Sequence, residues 1–377
     1  MLTLAAMALI VQMDCFDATC VAVQDNGRVI VWGEYDPIGE QKSDAPMEVD
    51  GLNGVKKVAA GLRFFLALKN DGTVWSWGVN SYGVLGDQTA PGQPLRDSAV
   101  PVRVAGLTAI VDVEAGGGLA AFAIKADGTL WAWGKSDEGS LGVGVIDPKW
   151  LNMAHPQPFP LQVKGLSGVR QVSAGTYHTL ALLEDGRVMG WGSNQQGAVG
   201  DGTTENRWEP VQVKGIEAAV SVAAGFKVSL ALLKDGTVRV WGSNASGVLL
   251  DGTRAGFGAE PRPVKGIATG LAAAAGGNFF LVLLRDRTLR CWGHSPWGSC
   301  GEGKTGGYTM ALASPRGVSG VEWFGAGANS SFARLADGRL LAWGAIYSQA
   351  LPPGRYHTPF AVEWTPEGWK RPDLPSK

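Results

Sequence analysis

The chain has 377 residues, with 33 Lys or Arg against 34 Asp or Glu and a net charge of −1. That balance, without a long run of one sign, gives no support to a generic nucleic-acid or membrane-surface role. No stretch reaches the roughly 20 apolar residues of a transmembrane helix, and 55 glycines point to a fold with many tight turns.

Met1 to Val11 is apolar, but no Lys or Arg precedes the apolar run and no small-x-small cleavage site follows it. Ile10 to Asp14 fits a strand, so the segment is read as the start of the fold and not as a leader. Cys15 and Cys20 flank the next predicted turn and are placed to bridge. Buried free thiols are nevertheless the expected state of these two, and neither they nor Cys291 and Cys300 form a C-x-x-C pair.

From here the chain repeats. Trp-Gly recurs at seven regularly spaced places, at Trp32, Trp77, Trp133, Trp191, Trp241, Trp292 and Trp343, at intervals of 45 to 58 residues, with an eighth pair, Trp297-Gly298, off the period. Six residues before five of these pairs stands Asp-Gly: Asp71-Gly72, Asp127-Gly128, Asp185-Gly186, Asp235-Gly236 and Asp337-Gly338. Unit 1 has Asn26-Gly27 there, and unit 6 has Asp286-Arg287. Ten residues earlier lies a glycine (Gly61, Gly117, Gly175, Gly225, Gly276, Gly327), with Phe16 in unit 1.

Asp-Gly between short apolar runs is a hairpin signal, because the tight turn needs positive φ. Each unit therefore predicts four strands. In unit 2 they are A (Val55–Ala60), B (Phe64–Leu68), C (Thr73–Trp77) and D (after Pro101). Four strands in some 50 residues, seven times over, predict an all-β, seven-bladed propeller of four-stranded antiparallel blades. Residues 1–364 form this single domain and 365–377 a flexible tail. Thr358 to Val362 resembles Ala45 to Val49, so the ring is expected to close by pairing of the N- and C-terminal strands.

The unit resembles the regulator-of-chromosome-condensation repeat, A-G-x-x-H-S-L-A-L-x-x-D-G-x-V-x-x-W-G-x-N-x-x-G-x-L-G. Unit 4 carries Ala174-Gly175, His178 to Leu182, Asp185-Gly186, Val188, Trp191-Gly192, Asn194, Gly197 and Gly200. The likeness covers roughly residues 10 to 364. It implies a propeller in which His178 supports the blade, and for many family members, including secreted β-lactamase inhibitors, a protein-binding role. It also implies an alternative, guanine-nucleotide exchange on a small GTPase, which the founding member performs with a wedge in a middle blade. The 142–160 insertion lies in a comparable region but lacks hairpin chemistry.

Catalytic chemistry is thin. His155, His178, His294 and His357 lie in different units without metal-ligand spacing, no nucleophilic triad is visible, and Gly116-Gly117-Gly118 opens no helix. No enzyme activity, metal or cofactor is expected. Function is sought where the units differ. A–B turns and C–D loops share one face, here called the first face, and its residues vary, whereas the Asp-Gly face is uniform.

The candidate partner-binding residues are Arg63, Tyr177, Phe226, Lys227, Asn278 and Asn329 in A–B turns, Tyr82 and Trp297 in C–D loops, and Trp150 in the unit 3 insertion. The expectation is a monomeric, non-enzymatic module binding another protein, with a cytoplasmic location favoured over secretion. A third reading uses the axial opening as an enzyme or small-ligand site, where Arg63 and Lys227 hold an anion.

Overall fold

The computed structural model describes residues 10–16, 19–33, 47–87, 93–136, 138–145, 155–304, 307–346, 354–365 and 368–370. Seven antiparallel sheets follow one another along the chain, each with its strands in the order A-B-C-D. Blade 4 shows the plan: Val169–Ala174 (A), His178–Leu183 (B), Val188–Gly192 (C) and Arg207–Gln212 (D). The helical element among the described residues is a 3-10 turn at Ser81–Gly83.

Strand B lies inside its sheet with a blade against either side. His178–Leu183 and Phe279–Leu284 are accordingly buried at every position, the continuous pattern of strands covered on both faces. The B–C turns take the predicted conformation, with Gly186 at φ 84°. In unit 6 Arg287 holds the same left-handed backbone at φ 63°. Replacing Arg287 by Gly should therefore stabilise the fold by about 1 kcal/mol, the low end of the usual cost of a side chain in that region because glycine's greater freedom in the unfolded chain offsets part of the gain. Chemical denaturation reads this, and an unchanged or lowered midpoint would refute the assignment of strain.

The seams between blades explain the Trp-Gly pair. Trp191 is fully buried, and its indole Nε1 donates to Ser140 O of the preceding blade at 2.9 Å. Trp133, Trp241, Trp292 and Trp343 repeat the bond to Val84 O, Ala198 O, Val248 O and Ser299 O at 2.7–3.0 Å. The glycine that follows has a separate cause. Gly192 sits at φ 101°, and a Cβ there would lie 2.6 Å from Tyr177 O, so both backbone conformation and space require glycine. His178 acts as expected of the resemblance: it is buried, and Nε2 lies 2.7 Å from Ser229 Oγ of blade 5.

The expected pairing of the two chain ends is not what closes the ring. Blade 1 has its own strand D, Met47–Glu48, and the C-terminal strand Gly354–Thr365 pairs with Leu340–Ile346 to complete blade 7. The ends meet through their faces. Met13, Cys15, Cys20, Ile30 and Trp32 of blade 1 form one cluster with Phe332, Ala342 and Phe360 of blade 7, and Arg334 Nη1 donates to Ile10 O at 3.2 Å. Strand D of blade 7 also continues into a short hairpin with Gly368–Lys370, so the segment read as a tail begins with a strand.

Cys15 and Cys20 also depart from expectation: they are paired with each other, and Cys291 is paired with Cys300. Cys15 and Cys20 are direct partners across the A–B ladder. Cys291 precedes the blade 6 Trp, and Cys300 occupies the C–D loop position that Leu85, Leu141, Val199 and Leu249 fill elsewhere. That loop folds back on strand C in every such blade, as where Ser76 Oγ donates to Leu85 O at 2.6 Å. A disulfide here replaces an apolar contact the fold already makes.

Candidate functional site

Strand A is the inner edge of each blade, so the seven A strands line the axis. Their third and fifth positions face the lumen and tie blade to blade. Gln12 donates to Val58 O at 3.1 Å and accepts from Val58 N at 2.9 Å, and Gln171 does the same to Val222. Asp14 Oδ2 accepts from Ala60 N, Ser173 Oγ accepts from Ala224 N, and Lys57 bridges to Asp112. In blades 5 to 7 the same positions hold Ser221, Ala223, Ala272, Ala274, Trp323 and Gly325, so one half of the wall is charged and the other is mostly small or aromatic.

The lumen is wide towards the Asp-Gly face, with a cavity of about 250 Å³ bordered by Gln12, Lys57, Asp112, Glu114 and Trp323. It narrows at the first face to about 90 Å³, where Phe16 and Phe226 border it. Phe16 reaches from blade 1 to blade 3, since a Cβ on Gly117 would lie 2.3 Å from its ring. The two residues expected to hold an axial anion, Arg63 and Lys227, border neither of these cavities. The charged groups inside are Asp14, Asp112 and Glu114 with Lys57, while Arg63 and Lys227 stand on the first face outside the constriction. Variation between the units at the third and fifth strand A positions is the sequence signal that would have found the lumen groups.

Burial pushes Asp14 up to about 6, against the pull of the Ala60 and Cys15 amides and Lys57. Glu114 is pushed up to about 8, again by burial first, with Lys57 opposing. Both side chains border the lumen and keep part of their surface open to it; water there moderates the shift without reversing it. A carboxyl whose folded pKa is raised contributes stability that is full below the unfolded value near 4 and is lost as pH rises through 6 and 8. Buried His178, whose pKa burial lowers to about 4, contributes the opposite slope up to about 6.5, so the protein should lose stability between pH 6.5 and pH 8, where Glu114 still titrates. Glu114→Gln should flatten that slope and melt above the parent at pH 8, as urea midpoints across the range would show. A parent whose stability rises over this interval would refute the assignment.

On the first face the A–B turn residues surround the mouth. Arg63 is exposed and held at φ 62°, a left-handed backbone in a non-glycine residue. Tyr177 is 39% exposed, and Lys227 Nζ stands 5.5 Å from its ring centroid. Phe226 is half-buried against Gly277, and its N donates to Gly277 O at 2.7 Å. Asn278 and Asn329 are half-buried, and their carbonyls accept from His294 N at 2.8 Å and Ala345 N at 3.0 Å. Farther out, Tyr82 lies under Lys135 at 5.5 Å and Trp297 is half-buried in the blade 6 loop. Trp150 lies outside the described residues.

The structure thus joins Tyr177 with Lys227 and sets Phe226 beside them, while Arg63 and Tyr82 belong to blade 2 across the mouth. Sequence reasoning missed a second cluster, in which Arg254 lies 3.7 Å from the Tyr308 ring centroid and His294 stacks on the same ring at 4.6 Å. Its members come from a C–D loop, the end of a strand C and the start of a strand D, and no spacing in the chain links them.

A model of the RCC1-like domain matches residues 3–279. The chain belongs to the RCC1-like domain family. Among relatives of this RCC1-like chain, the ultraviolet-B receptor UVR8 of Arabidopsis thaliana is 32% identical over 53% of this chain and 44% of its own length. The human E3 ubiquitin-protein ligase HERC2 is 35% identical over 47% of this chain and 4% of its own. The chain thus spans under half the length of these relatives. Among solved structures, human WBSCR16 superposes with a TM-score of 0.75 at 20% identity, covering 87% of each chain. Yeast RCC1 (Prp20), solved bound to Kap60, gives 0.73 at 22% identity over 95% of this chain and 85% of its own. Both share the fold. Among the described residues no helix is long and apolar enough to cross a membrane, and no group of three or more His, Cys, Asp or Glu is set to hold a metal ion.

Proposed function

We propose that this RCC1-like propeller is a non-enzymatic module that binds another protein through its first face. The observation that carries the reading is the set of turn residues that the blades do not need. Equivalent A–B positions hold Arg63, Leu119, Tyr177, Lys227, Asn278 and Asn329, each with its carbonyl accepting from the N–H just after the Trp-Gly pair, and that shared bond gives no reason for an exposed tyrosine or arginine among them. Loops on a rigid scaffold and anchors of the Tyr and Arg type are common carriers of binding. Yeast Prp20, whose structures name Kap60, Gsp1p and histones as binding partners, supports a protein as the ligand class. The two disulfides support an oxidising compartment over the cytoplasm.

The test is a triple change of Arg63, Tyr177 and Phe226 to Ala. With unaltered melting, it should weaken binding to a partner captured from the native source by about thirtyfold or more, equivalent to 2 kcal/mol. Undiminished binding would move the interface elsewhere. Nucleotide exchange on a small GTPase, measured with the same proteins, should stay at the uncatalysed rate.

A further inference from the structure

We propose that the first face of blades 4 to 6 recognises an acidic, extended segment of the partner, its carboxylates meeting Lys227 near the axis and Arg254 at the rim. This rests on the protein-binding reading above and specifies the chemistry of what is bound. Both cations are parked on tyrosine rings, Lys227 on Tyr177 at 5.5 Å and Arg254 on Tyr308 at 3.7 Å. Each stack crosses a seam, the first between blades 4 and 5 and the second between blades 5 and 6, so the two mark a radial track along blade 5.

The charge state of the neighbourhood gives the sign of the partner. Among the described residues neither Lys227 nor Arg254 ion-pairs with a carboxylate, whereas nearby Arg207 and Arg262 pair with Asp201 and Asp251. Asp201 and Asp251 are thus engaged, and the two stacked cations keep their charge. A guanidinium lying on a ring keeps its N–H edge available for a bidentate carboxylate. Tyr177, Phe257 and Tyr308 are 39%, 44% and 43% exposed, which supplies apolar contact between the charges. A second copy of this chain docking by the same face would set like charges together. A nucleic acid would bring its continuous phosphates against exposed Glu205 and Glu209 on the same rim, which isolated carboxylates avoid.

The experiment uses the full chain and fluorescence anisotropy with three probes: a 12-residue peptide of Asp, Glu, Leu and Tyr, its Asn/Gln counterpart, and an oligothymidylate of similar length. The acidic peptide should bind, more weakly as NaCl is added. Lys227→Glu with Arg254→Glu should lower its affinity at least tenfold, while Arg187→Glu on the opposite face should leave it unchanged. Equal binding of the neutral peptide, or indifference to the charge reversal, overturns the proposal. So does tighter, reversal-sensitive binding of the oligothymidylate, which would assign these cations to nucleic acid. A captured protein partner lost by the Arg63, Tyr177 and Phe226 triple change but retained by the charge reversal would sink the acidic segment and leave the protein-binding reading standing.

Discussion

Replacing Trp191 with alanine is expected to cost about 3–5 kcal/mol, the range for deleting a large buried aromatic. The ring is fully buried at the seam of blades 3 and 4, packed with Phe122, Leu130, Leu141, Val172 and Ala181. A Cβ on Gly142 would touch it at 2.7 Å, so the surrounding backbone is already at contact and has little scope to collapse into the space. The bond to Ser140 O is lost as well, although Thr179 Oγ1 also donates to that carbonyl at 2.9 Å and keeps it satisfied. Most of the penalty therefore comes from the cavity. Trp191→Phe, which keeps most of the ring volume, should cost clearly less. Guanidinium denaturation of the three proteins measures both, and a Trp191→Ala loss under about 2 kcal/mol would contradict the seam packing.

Deleting residues 354–377 should have a larger effect, removing the cooperative transition and making the protein aggregate. That strand completes blade 7 along Leu340–Ile346, and its loss bares a hydrogen-bonding edge, a template for association between chains. It also removes Phe360, 8% exposed, from the cluster in which blade 7 meets blade 1, and Tyr356, whose ring lies 4.3 Å from that of Phe360. A closed ring cannot lose one seam and keep the others at full strength. Phe360→Ala separates the two causes, because it opens the seam and leaves the strand in place. It should destabilise by about 3 kcal/mol without the aggregation. A truncated protein that melts with the parent would show that blade 7 stands without its outer strand.

Prolines on the outer strands give the same reasoning a local form. Pro101, Pro158, Pro210, Pro261 and Pro359 lie in the D strands, where a residue without an N–H is tolerated and discourages pairing with another chain. The sequence reading starts strand D of unit 2 after Pro101, whereas Pro101 lies within the outer strand Ser98–Arg103.

The repeat, the strand order and the place of each Trp-Gly pair followed from the chain alone, because the repetition is itself visible, hairpin turns join strands adjacent in sequence, and only glycine adopts some of the backbone conformations freely. Gly192 is required by its own φ and by Tyr177, 15 positions earlier in the same blade. The first face was legible for a related reason: antiparallel strands of known order alternate direction, so the turns sort themselves to two ends. Contacts between blades were not legible. Asp14, Asp112 and Glu114 come from blades 1 and 3, Arg254 and Tyr308 from blades 5 and 6, and Met13 and Phe360 from opposite ends of the chain. Their proximity is set by the curvature that brings seven sheets around one axis. The acidic lumen, the closure by packing and the stacked cations of the first face are therefore properties of the ring, decided only when all seven blades are in place.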